Sequence, residues 1–429
     1  MESLALFGMP LTPPAYETNS SGLRVLTQWF ERARLEYLPN NPIGARVLQG
    51  RLGAELFAPG REGLDQPIGP PPAFVTVTEP GWPAPLEVPA GFTIEEVANG
   101  LTRPRFMALD TDGSLVVASD GLDQVLRLRD DDGDGRYETT QVIADNLRHV
   151  NSVAFYRGEL YAVAQDRVVR LSDFDDDGAA QEIETVIGDL PSGGVDLYNH
   201  RTRTLVFGPD DKLYISVGSS CDACADEVPL RAAVLRANPD GSDLEIFASG
   251  LRNSVGLAFH PDTGELWGLD MGRNRLGPEL PPDELNRIVE GKDYGWPFCY
   301  GDRQPDPDFN DPARCADTEP PALNLPAHWA PLGIVFYERP GFPPSYQGDA
   351  LVAFHGSAAD ELTDRRVGYR VSRIRFVDGQ PVGLEDLVRG FVADGSVWAR
   401  PTGLLLLPDG SLLISDDYGG RVFRLRYLN

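Results

Sequence analysis

The chain has 429 residues, of which 41% are hydrophobic, so it can bury a sizeable core and is not expected to be disordered as a whole. Acidic residues outnumber basic ones by 65 to 38, and the formal net charge is −27. Nucleic acid and anionic lipid would be repelled, whereas cations and neutral solutes are compatible partners. No apolar run reaches about 18 residues, so the sequence predicts no membrane span.

The first predicted unit is a small module over residues 1–57. Within it, residues 24–37 are compatible with a β-hairpin or with a short amphipathic stretch, and the hydrophobic periods do not separate the two. The start of the chain has no basic n-region, so either a secretory leader has been removed or the protein is intracellular. A proline-rich linker is predicted over 58–90, because nine prolines there disfavour a regular ladder or helix.

From residue 91 onward the sequence repeats one unit, an apolar strand, a tight turn with Asp or Gly, and a second apolar strand. A weaker copy spans 350–379. The five clear copies begin at Phe106, Ser152, Leu205, Leu257 and Leu404. Repeats at a spacing of roughly 50 residues are typical of propeller blades. We therefore predict an all-β fold, a six-bladed β-propeller over 91–429 with a long insertion at 272–330. A β-sandwich is the alternative.

Two acidic loops carry the pattern of a calcium-binding turn. The candidate ligands are Asp130, Asp132 and Asp134 in the first loop and Asp173, Asp175 and Asp177 in the second. Carboxylates at alternate positions followed by Gly suit a wrapped Ca²⁺ loop, and Glu184 follows the second loop. No flanking helices are evident, so an EF-hand is disfavoured. Solvated acidic turns are the alternative.

The four cysteines form two closely spaced pairs, Cys221 with Cys224 and Cys299 with Cys315. The spacing favours two local disulfides and hence an oxidising compartment. Free buried thiols and metal or redox chemistry remain the alternatives, although the second pair lacks the CxxC spacing of many zinc sites.

A histidine that is neutral near pH 7 can act as a general base, although a lone histidine is more often structural. Among the five histidines, His200 stands just before a predicted blade strand, where propeller strands start near the central axis. Arg252 and Asn253 hold a similar position, and this pair of side chains can clamp a carboxylate or a quinone oxygen.

Five ordered segments make a family resemblance visible. They are HRTRTLVFGPDDKLYISVGSSCDAC, ASGLRNSVGLAFHPDTGELW, PPDELNRIVEGKDYGWPFCYG, AHWAPLGIVFY and RPTGLLLLPDGSLLISDDYGGRVFRL. Over residues 91–427 the chain resembles the soluble glucose/sorbosone dehydrogenases, six-bladed propellers that use pyrroloquinoline quinone and Ca²⁺. VGSSCDAC and PFCYG resemble the sorbosone-dehydrogenase-like branch, in which such cysteines form local disulfides. Separately, FERARLEYLPNNP and VLQGRLGAEL resemble the end of a small module of some bacterial extracellular proteins.

The resemblance implies roles for individual residues. His200 matches the catalytic base, and Arg252 and Asn253 match residues that contact the quinone. Gly272 and Arg273 match positions whose backbone carbonyls hold the cofactor Ca²⁺.

Arg400 matches an arginine that binds the cofactor near the last blade. The chain departs from the family pattern at three places. Ser254 replaces a proline, Arg273-Asn274 replaces the usual residues after Gly272, and 355–360 read HGSAAD where relatives often read HGSWNR. Arg365 or Arg366 is the candidate replacement for the missing basic group.

These roles predict quinone-dependent oxidation of an aldose or sorbosone-like sugar by a secreted or periplasmic enzyme. His200 takes a proton, the quinone accepts the hydride, and Ca²⁺ polarises the accepting carbonyl. The partners are then a small sugar substrate and an external electron acceptor. The alternatives are a cofactor-free propeller that binds carbohydrate or another partner, and a Ca²⁺-dependent lactonase-like hydrolase.

Overall fold

A computed structural model describes residues 15–18, 24–29, 34–37, 47–49, 73–175, 178–192, 200–225, 228, 230–358 and 366–428. The chain divides into two compact units, 1–71 and 72–429. No helix in the described part of the chain has the length and apolar character that a membrane crossing requires.

The first unit contains one antiparallel sheet of four consecutive strands, Ala15–Thr18, Arg24–Trp29, Arg34–Tyr37 and Val47–Gln49. Leu26 pairs with Tyr37, so segment 24–37 forms the β-hairpin rather than the amphipathic stretch. Thr27, in the middle of its strand, is buried.

The second unit is a six-bladed β-propeller, as predicted, and each blade is a four-stranded antiparallel sheet. Blades 1 to 3 consist of Pro104–Leu109, Leu115–Ser119, Gln124–Arg129 and Thr139–Ala144; Ser152–Tyr156, Glu159–Val163, Val168–Phe174 and Ala180–Ile187; and Arg203–Phe207, Leu213–Val217, Ala233–Ala237 and Glu245–Ser249. Blades 4 to 6 consist of Ser254–Phe259, Leu266–Asp270, Asp283–Ile288 and Leu323–Leu325; Pro331–Phe336, Ala350–Phe354, Arg370–Val377 and Gln380–Val388; and Pro401–Leu406, Leu412–Asp416, Arg421–Tyr427 and Phe92–Ala98.

The propeller closes through its most N-terminal strand. Phe92–Ala98 pairs antiparallel with Arg421–Tyr427, and Ile94 lies opposite Leu425. The fourth strand of blade 6 therefore comes from the start of the propeller sequence. Joining the two ends of the domain in one sheet closes the ring of blades.

The blades pack through their second strands, which are buried along their whole length in blades 1, 3, 4, 5 and 6. The outermost strand of blade 2, Ala180–Ile187, is by contrast mostly exposed. Continuous apolar strands are expected where a sheet is covered on both faces. The core thus lies between neighbouring blades, where burial of each large aliphatic side chain contributes about 1.5–3 kcal/mol.

Glycine is the third residue of the first strand in blades 4, 5 and 6. A Cβ on Gly256 would lie 2.5 Å from the carbonyl oxygen of Leu332, and one on Gly333 would lie 2.4 Å from that of Thr402. A Cβ on Gly403 would lie 2.6 Å from that of Arg105. The first strands of adjacent blades approach one another so closely that only glycine fits there.

Two details of the predicted repeat differ from the structure. The weak copy at 350–379 contains the second and third strands of blade 5, whose first strand is Pro331–Phe336. The first and second strands of blade 5 are separated by 13 residues, 337–349, which include a 3₁₀ turn at Pro344–Tyr346. This long connection is why the repeat pattern did not reveal the hairpin. The predicted insertion at 272–330 contains the last two strands of blade 4, so the added segment is shorter.

That added segment, 289–322, carries the small ladder Cys299–Tyr300 with Gln304–Pro305 and the helix Pro312–Cys315. Two further small ladders lie in loops of blades 5 and 6; they pair Ser357–Ala358 with Arg366–Val367 and Val392–Ala393 with Ser396–Val397.

The second half of the predicted linker is structured. Phe74–Val77 pairs with Leu86–Pro89, and the side chains of Leu86 and Val88 are fully buried in the core of blades 5 and 6. Pro80, Pro83 and Pro85 fall in the connection between these strands, which is why the prolines do not prevent the hairpin. Residues 58–72 lie outside the described part.

Both predicted disulfides are present. Cys221 is bonded to Cys224 and Cys299 to Cys315, so no described cysteine is free. Each bridge closes a loop beside blade 3 or blade 4.

Candidate active site

The predicted site residues meet at one face of the propeller. Because successive strands alternate in direction, the connections entering each first strand and those between second and third strands lie at the same face, here called the upper face. A cavity of about 280 Å³ opens there. Its lining comes from blades 3, 4 and 5, and consists of His200, Arg252, Asn253, Met271, Gly272, Asn274, Asp283, His328, Ala330 and Ser357.

His200 lies at the entry to the first strand of blade 3. Its Nδ1 is 3.1 Å from the carbonyl oxygen of Ser219 and 2.9 Å from the Oγ of Ser219. Burial lowers the pKa of His200 well below its usual value, and the nearby charge of Arg252 lowers it further. The imidazole is therefore neutral at pH 7, the protonation state that a general base requires.

The guanidinium of Arg252 is buried and held by the protein. Its Nε donates to the carbonyl oxygen of Asp222 (2.8 Å) and its Nη2 to the carboxylate of Asp222 (2.7 Å). Its Nη1 donates to the carbonyl oxygens of Met271 and Gly272, both at 3.0 Å. These contacts fix one positive charge in the wall of the cavity and tie the loop after blade 4's second strand to the entry of its first.

The side chains of Asn253 and His200 both pack against the backbone of Gly218. A Cβ on Gly218 would lie 2.5 Å from Asn253 Oδ1 and 2.6 Å from His200 Cβ. The backbone N–H of Asn253 donates to Asp270 (2.7 Å), which also accepts from the hydroxyl of Ser254 (2.9 Å). Ser254, where the family motif has proline, thus helps to fix the Arg252-Asn253 turn.

Gly272 and Arg273 are the two positions at which the resemblance predicts calcium ligands. The structure places the two residues in different surroundings. Gly272 lines the cavity, and its carbonyl oxygen accepts from Arg252. The Arg273 side chain contacts Asp306 (3.0 Å) and Asp308 (2.7 Å) in the added segment. This departure from the family pattern thus anchors that segment beside the cavity.

Three buried acidic groups lie at the cavity, and one of them, Asp283, is part of its lining. Asp283 accepts from the backbone N–H of Gly272 (2.9 Å) and of Ala330 (2.8 Å) and so joins two cavity loops. Burial raises the pKa of Asp283 to about 7 and that of Asp270 to about 6. Burial, followed by the charge of Asp270, raises the pKa of Glu284 to about 8.

Arg400 does not line this cavity. Its Nε donates to the carbonyl oxygen of His355 (3.1 Å) and its Nη2 to that of Gly356. His355 Nε2 contacts Asp417 (2.8 Å), which also binds Arg105 (2.6 Å). Arg400 therefore holds the loop that departs from the family's HGSWNR pattern.

Burial opposes ionisation of Asp417, but His355 and Arg105 lower the pKa of its carboxyl, so it is an anion between two partners. Within the same departing loop, the Ser357 hydroxyl donates to the carbonyl oxygen of His328. Of the two predicted replacements, Arg365 lies outside the described residues and Arg366 is exposed.

The acidic loops lie at the face opposite His200, because both connect the third and fourth strands of their blades. Carboxylate oxygens of Asp130, Asp132 and Asp134 do cluster, and Glu138 joins them within 4.8 Å. The sequence interpretation missed Glu138, although it stands at position 9 of a calcium loop that begins at Asp130.

The second acidic loop is only partly described. Asp175 accepts from the backbone N–H of Ala179 (2.8 Å) and from the side chain of Gln181 (2.7 Å). Asp173 is the last residue but one of the third strand of blade 2, and Asp177 lies outside the described residues. Glu184 contacts Arg170 on the neighbouring strand (3.1 Å).

Ser219 and Asp283 are the main site residues without a predicted role. Both occur inside the recognised segments, but nothing local distinguishes a serine or aspartate that contacts a distant loop from one that faces solvent. Asn274 and Asp222 are two further residues of the site. Asp222 accepts from the backbone N–H of Asn274 (3.0 Å) and from Arg252.

The donor chemistry of the cavity fits both pyrroloquinoline quinone and Ca²⁺. A guanidinium, an amide and imidazoles can bind the carboxylate and quinone oxygens of the first. The carbonyl of Gly272 and the carboxylate of Asp283 are the hard oxygen ligands that Ca²⁺ prefers. The Gly272 carbonyl already accepts from Arg252, and its second lone pair leaves it available to a cation.

Comparison with known proteins finds similarity to sugar dehydrogenases. The family model for glucose/sorbosone dehydrogenase matches residues 153–363. An uncharacterised protein of Borreliella burgdorferi is 28% identical over 360 residues, which cover 80% of this chain and 91% of that protein. The pyrroloquinoline quinone-dependent sugar dehydrogenase of Hypocrea jecorina is 26% identical over 413 residues, covering 80% and 90%.

A solved structure shows the same fold. It is the holo form of the pyranose dehydrogenase PQQ domain from Coprinopsis cinerea, with a TM-score of 0.66, 20% identity, and coverage of 81% of this chain and 98% of that one. The family match, which begins in blade 2 and ends in blade 5, includes every residue that lines the cavity. Over residues 153–363 of its propeller, this chain is therefore similar to the glucose/sorbosone dehydrogenase family.

Proposed function

We propose that the protein oxidises an aldose or a sorbosone-like sugar with pyrroloquinoline quinone as the electron acceptor and Ca²⁺ at the same site. The observation that carries the proposal is the convergence of His200, Arg252, Asn253 and Gly272 on one cavity. The match to the family model and the sugar dehydrogenase among the relatives support an oxidoreductase of this type.

His200 supplies the base. Ser219 Oγ donates its own proton to the carbonyl oxygen of Cys221 (2.7 Å), so both Ser219 oxygens accept from His200 Nδ1. Nδ1 therefore carries the imidazole proton, and Nε2 has the free lone pair. His200 Nε2 accepts the proton of the sugar hydroxyl as the carbon–hydrogen bond is oxidised.

The other cavity residues bind and orient. Arg252 places a fixed positive charge in the cavity wall, where negative charge on bound oxygens is stabilised. Asn253 offers an amide beside His200, and Gly272 offers a carbonyl oxygen. When bound, the quinone accepts the hydride and Ca²⁺ withdraws charge from the accepting carbonyl.

We also infer an oxidising compartment, secreted or periplasmic, and an external electron acceptor that reoxidises the cofactor. Two disulfides support the compartment, since cytosolic thiols are kept reduced. An external acceptor is needed because each turnover leaves the cofactor reduced by two electrons.

Reconstitution tests the proposal. Apo protein is mixed with pyrroloquinoline quinone and Ca²⁺, and the melting temperature, the quinone absorption spectrum and dye reduction over a panel of aldoses are recorded. Binding at 100 times Kd stabilises the folded form by about 2.7 kcal/mol. A thermal shift with dye reduction supports the proposal. No shift and no bound quinone spectrum would instead favour a binding propeller without this cofactor.

A further inference from the structure

The guanidinium of Arg203 is buried beside His200, and the proposed oxidation gives it no role. Arg203 is the first residue of the first strand of blade 3, and none of its surface is exposed. Its Nη1 donates to the carbonyl oxygens of His200 (2.8 Å) and Thr202 (2.9 Å), and its Nη2 donates to that of Pro191 (2.5 Å). A fully buried arginine is normally paired with a carboxylate, because burying an isolated charge is costly.

Arg203 has no carboxylate among its partners in the described part of the chain. All of its hydrogen bonds go to backbone carbonyl oxygens, and its buried Nε has no acceptor there. Burial, together with the charge of Arg231, lowers the pKa of Arg203 to about 9, so the guanidinium still carries its charge at pH 7. Well-packed apolar side chains often replace buried charges without loss of stability. Stability alone therefore does not explain an arginine at this position.

Two contacts fix His200 from opposite ends. Ser219 holds the imidazole through Nδ1, and Arg203 holds the backbone carbonyl oxygen. The same guanidinium joins Pro191 to His200. Asn151 Nδ2 donates to the carbonyl oxygen of Arg203 (2.9 Å) and so ties this residue to the entry of blade 2. The proposed base thus stands on an anchored backbone, which matters because small displacements of a reacting group lower the rate steeply.

The charges around His200 oppose its protonation. After burial, the groups that do so are three arginines, Arg252, Arg203 and Arg231, whereas the contact with Ser219 acts in the opposite sense. The charge of Arg252 is partly offset by the carboxylate of Asp222, at 2.7 Å. Arg203 has no such ion pair among the described residues, and charges interact more strongly in a buried site than in water.

We propose that Arg203 positions His200 for proton transfer and acts on the imidazole as a fixed positive charge. The inference rests on the proposed role of His200 as the base. Arg203 does not line the cavity, so it acts through His200 and not on the substrate. An arginine with only a structural role would change the stability of blade 3 and leave the titration of His200 as it is.

A histidine titration by NMR on the full chain without quinone tests the charge effect. The histidine rings are labelled with carbon-13, and the His200 signal is assigned by its loss in His200→Ala. Arg203→Gln and Arg203→Lys are compared with the parent, since both can donate to a carbonyl oxygen but only lysine keeps the charge. His200 should titrate at higher pH in Arg203→Gln than in the parent, and Arg203→Lys should resemble the parent.

Turnover of the reconstituted enzyme tests the positioning effect. At pH 8 the imidazole is neutral in every variant, so protonation does not enter. There kcat should fall about tenfold in Arg203→Gln and by less in Arg203→Lys, with KM little changed, because the substrate is not contacted. A kcat equal to that of the parent in Arg203→Gln would remove the positioning role.

Arg373→Gln is the matched control, because Arg373 is also a buried arginine of a blade strand but pairs with Asp349 in blade 5. It should lower stability without moving the His200 signal. An unmoved His200 titration in Arg203→Gln, or equal shifts with Gln and Lys, overturns the proposal. Failure of both Arg203 variants to fold would identify a structural residue and overturn it as well. Absence of sugar oxidation by the parent, with the NMR result as expected, would instead refute only the proposed function.

Discussion

The Nδ1 atom of His200 lies within hydrogen-bond distance of two oxygens of one residue, the carbonyl oxygen and the Oγ of Ser219. Since both oxygens act as acceptors, they select the tautomer in which Nε2 is basic. Ser219 therefore acts as a positioning residue, and the proposed chemistry depends on a contact between the entry of blade 3 and the end of its second strand.

His200→Ala should abolish most turnover and leave the fold and the quinone-induced thermal shift intact. His200 belongs to no apolar core cluster, so its truncation removes little packing. General-base assistance is typically worth about 10²–10⁴ in rate. Steady-state dye reduction and thermal melts measure the two effects, with His260→Gln, in a turn at the opposite face, as the control.

Near-full activity in His200→Ala would show that the base has been assigned wrongly. His328 would then be the next candidate. It lines the same cavity, and its Nε2 contacts the carbonyl oxygen of Gly277 at 2.8 Å, which leaves Nδ1 as its basic nitrogen.

The pH profile should reveal the role of Ser219. The pKa of His200 is lowered, so the base stays neutral as pH falls through 6.5, and kcat/KM should decline only at more acidic pH. Ser219→Ala removes one acceptor that stabilises the imidazolium, so the acid limb should move to still lower pH. The lost hydrogen bond is worth about 1 kcal/mol, or about fivefold in kcat/KM.

Ser415→Ala is the control for Ser219→Ala, because this serine is equally buried and its Oγ contacts only backbone atoms. It should lower stability without moving the acid limb. An unchanged acid limb in Ser219→Ala would rule out the positioning role.

Glu284→Gln should stabilise the protein at alkaline pH. Burial raises the pKa of Glu284 to about 8, whereas the unfolded chain releases this proton near pH 4.3. The folded state therefore holds the extra proton between these values, and its stability falls as pH rises through that window. The variant should exceed the parent by at least about 1 kcal/mol at pH 9, since one pKa unit is worth about 1.4 kcal/mol.

Denaturant unfolding at pH 5 and pH 9 measures this effect. Glu182→Gln, on the exposed outer strand of blade 2, is the control and should show no such pH dependence. A variant that is less stable than the parent at both pH values would contradict the prediction.

The acidic loop at 130–138 should bind Ca²⁺ independently of the quinone cavity. Asp134→Asn removes one charge from the cluster of four carboxylates, so the Ca²⁺-induced rise in melting temperature without quinone should shrink. The additional shift on adding quinone should persist, because the loop lies at the opposite face. A Ca²⁺ response identical to that of the parent would identify the loop as a solvated turn.

Much of the fold was predictable because its signals are local. Each clear repeat is a hairpin whose apolar strands and Asp- or Gly-containing turn are adjacent in sequence, and the structure has all five. The disulfides also join cysteines 3 and 16 residues apart. Blade 5 was harder to recognise because its first two strands are separated by residues 337–349.

The candidate site was predictable as a set of residues but not as an arrangement. His200, Arg252, Asn253 and Gly272 stand in recognisable segments, and each occurs in the cavity lining. The partners of these residues were not predictable. Arg400 contacts backbone carbonyls in the loop of His355, and Arg273 contacts Asp306, because long flexible side chains bind whichever loop the closed ring brings near.

The sequence by itself determined the blades, since hairpin formation depends on residues close along the chain. Only the tertiary structure decided the closure of the ring, the pairing of His200 with Ser219, and the meeting of loops from blades 3, 4 and 5 at one cavity. Phe92–Ala98 pairs with a strand more than 300 residues away, and the cavity depends on how that closure brings neighbouring loops together. Such contacts arise from the packing of all six blades, which no local pattern of residues encodes.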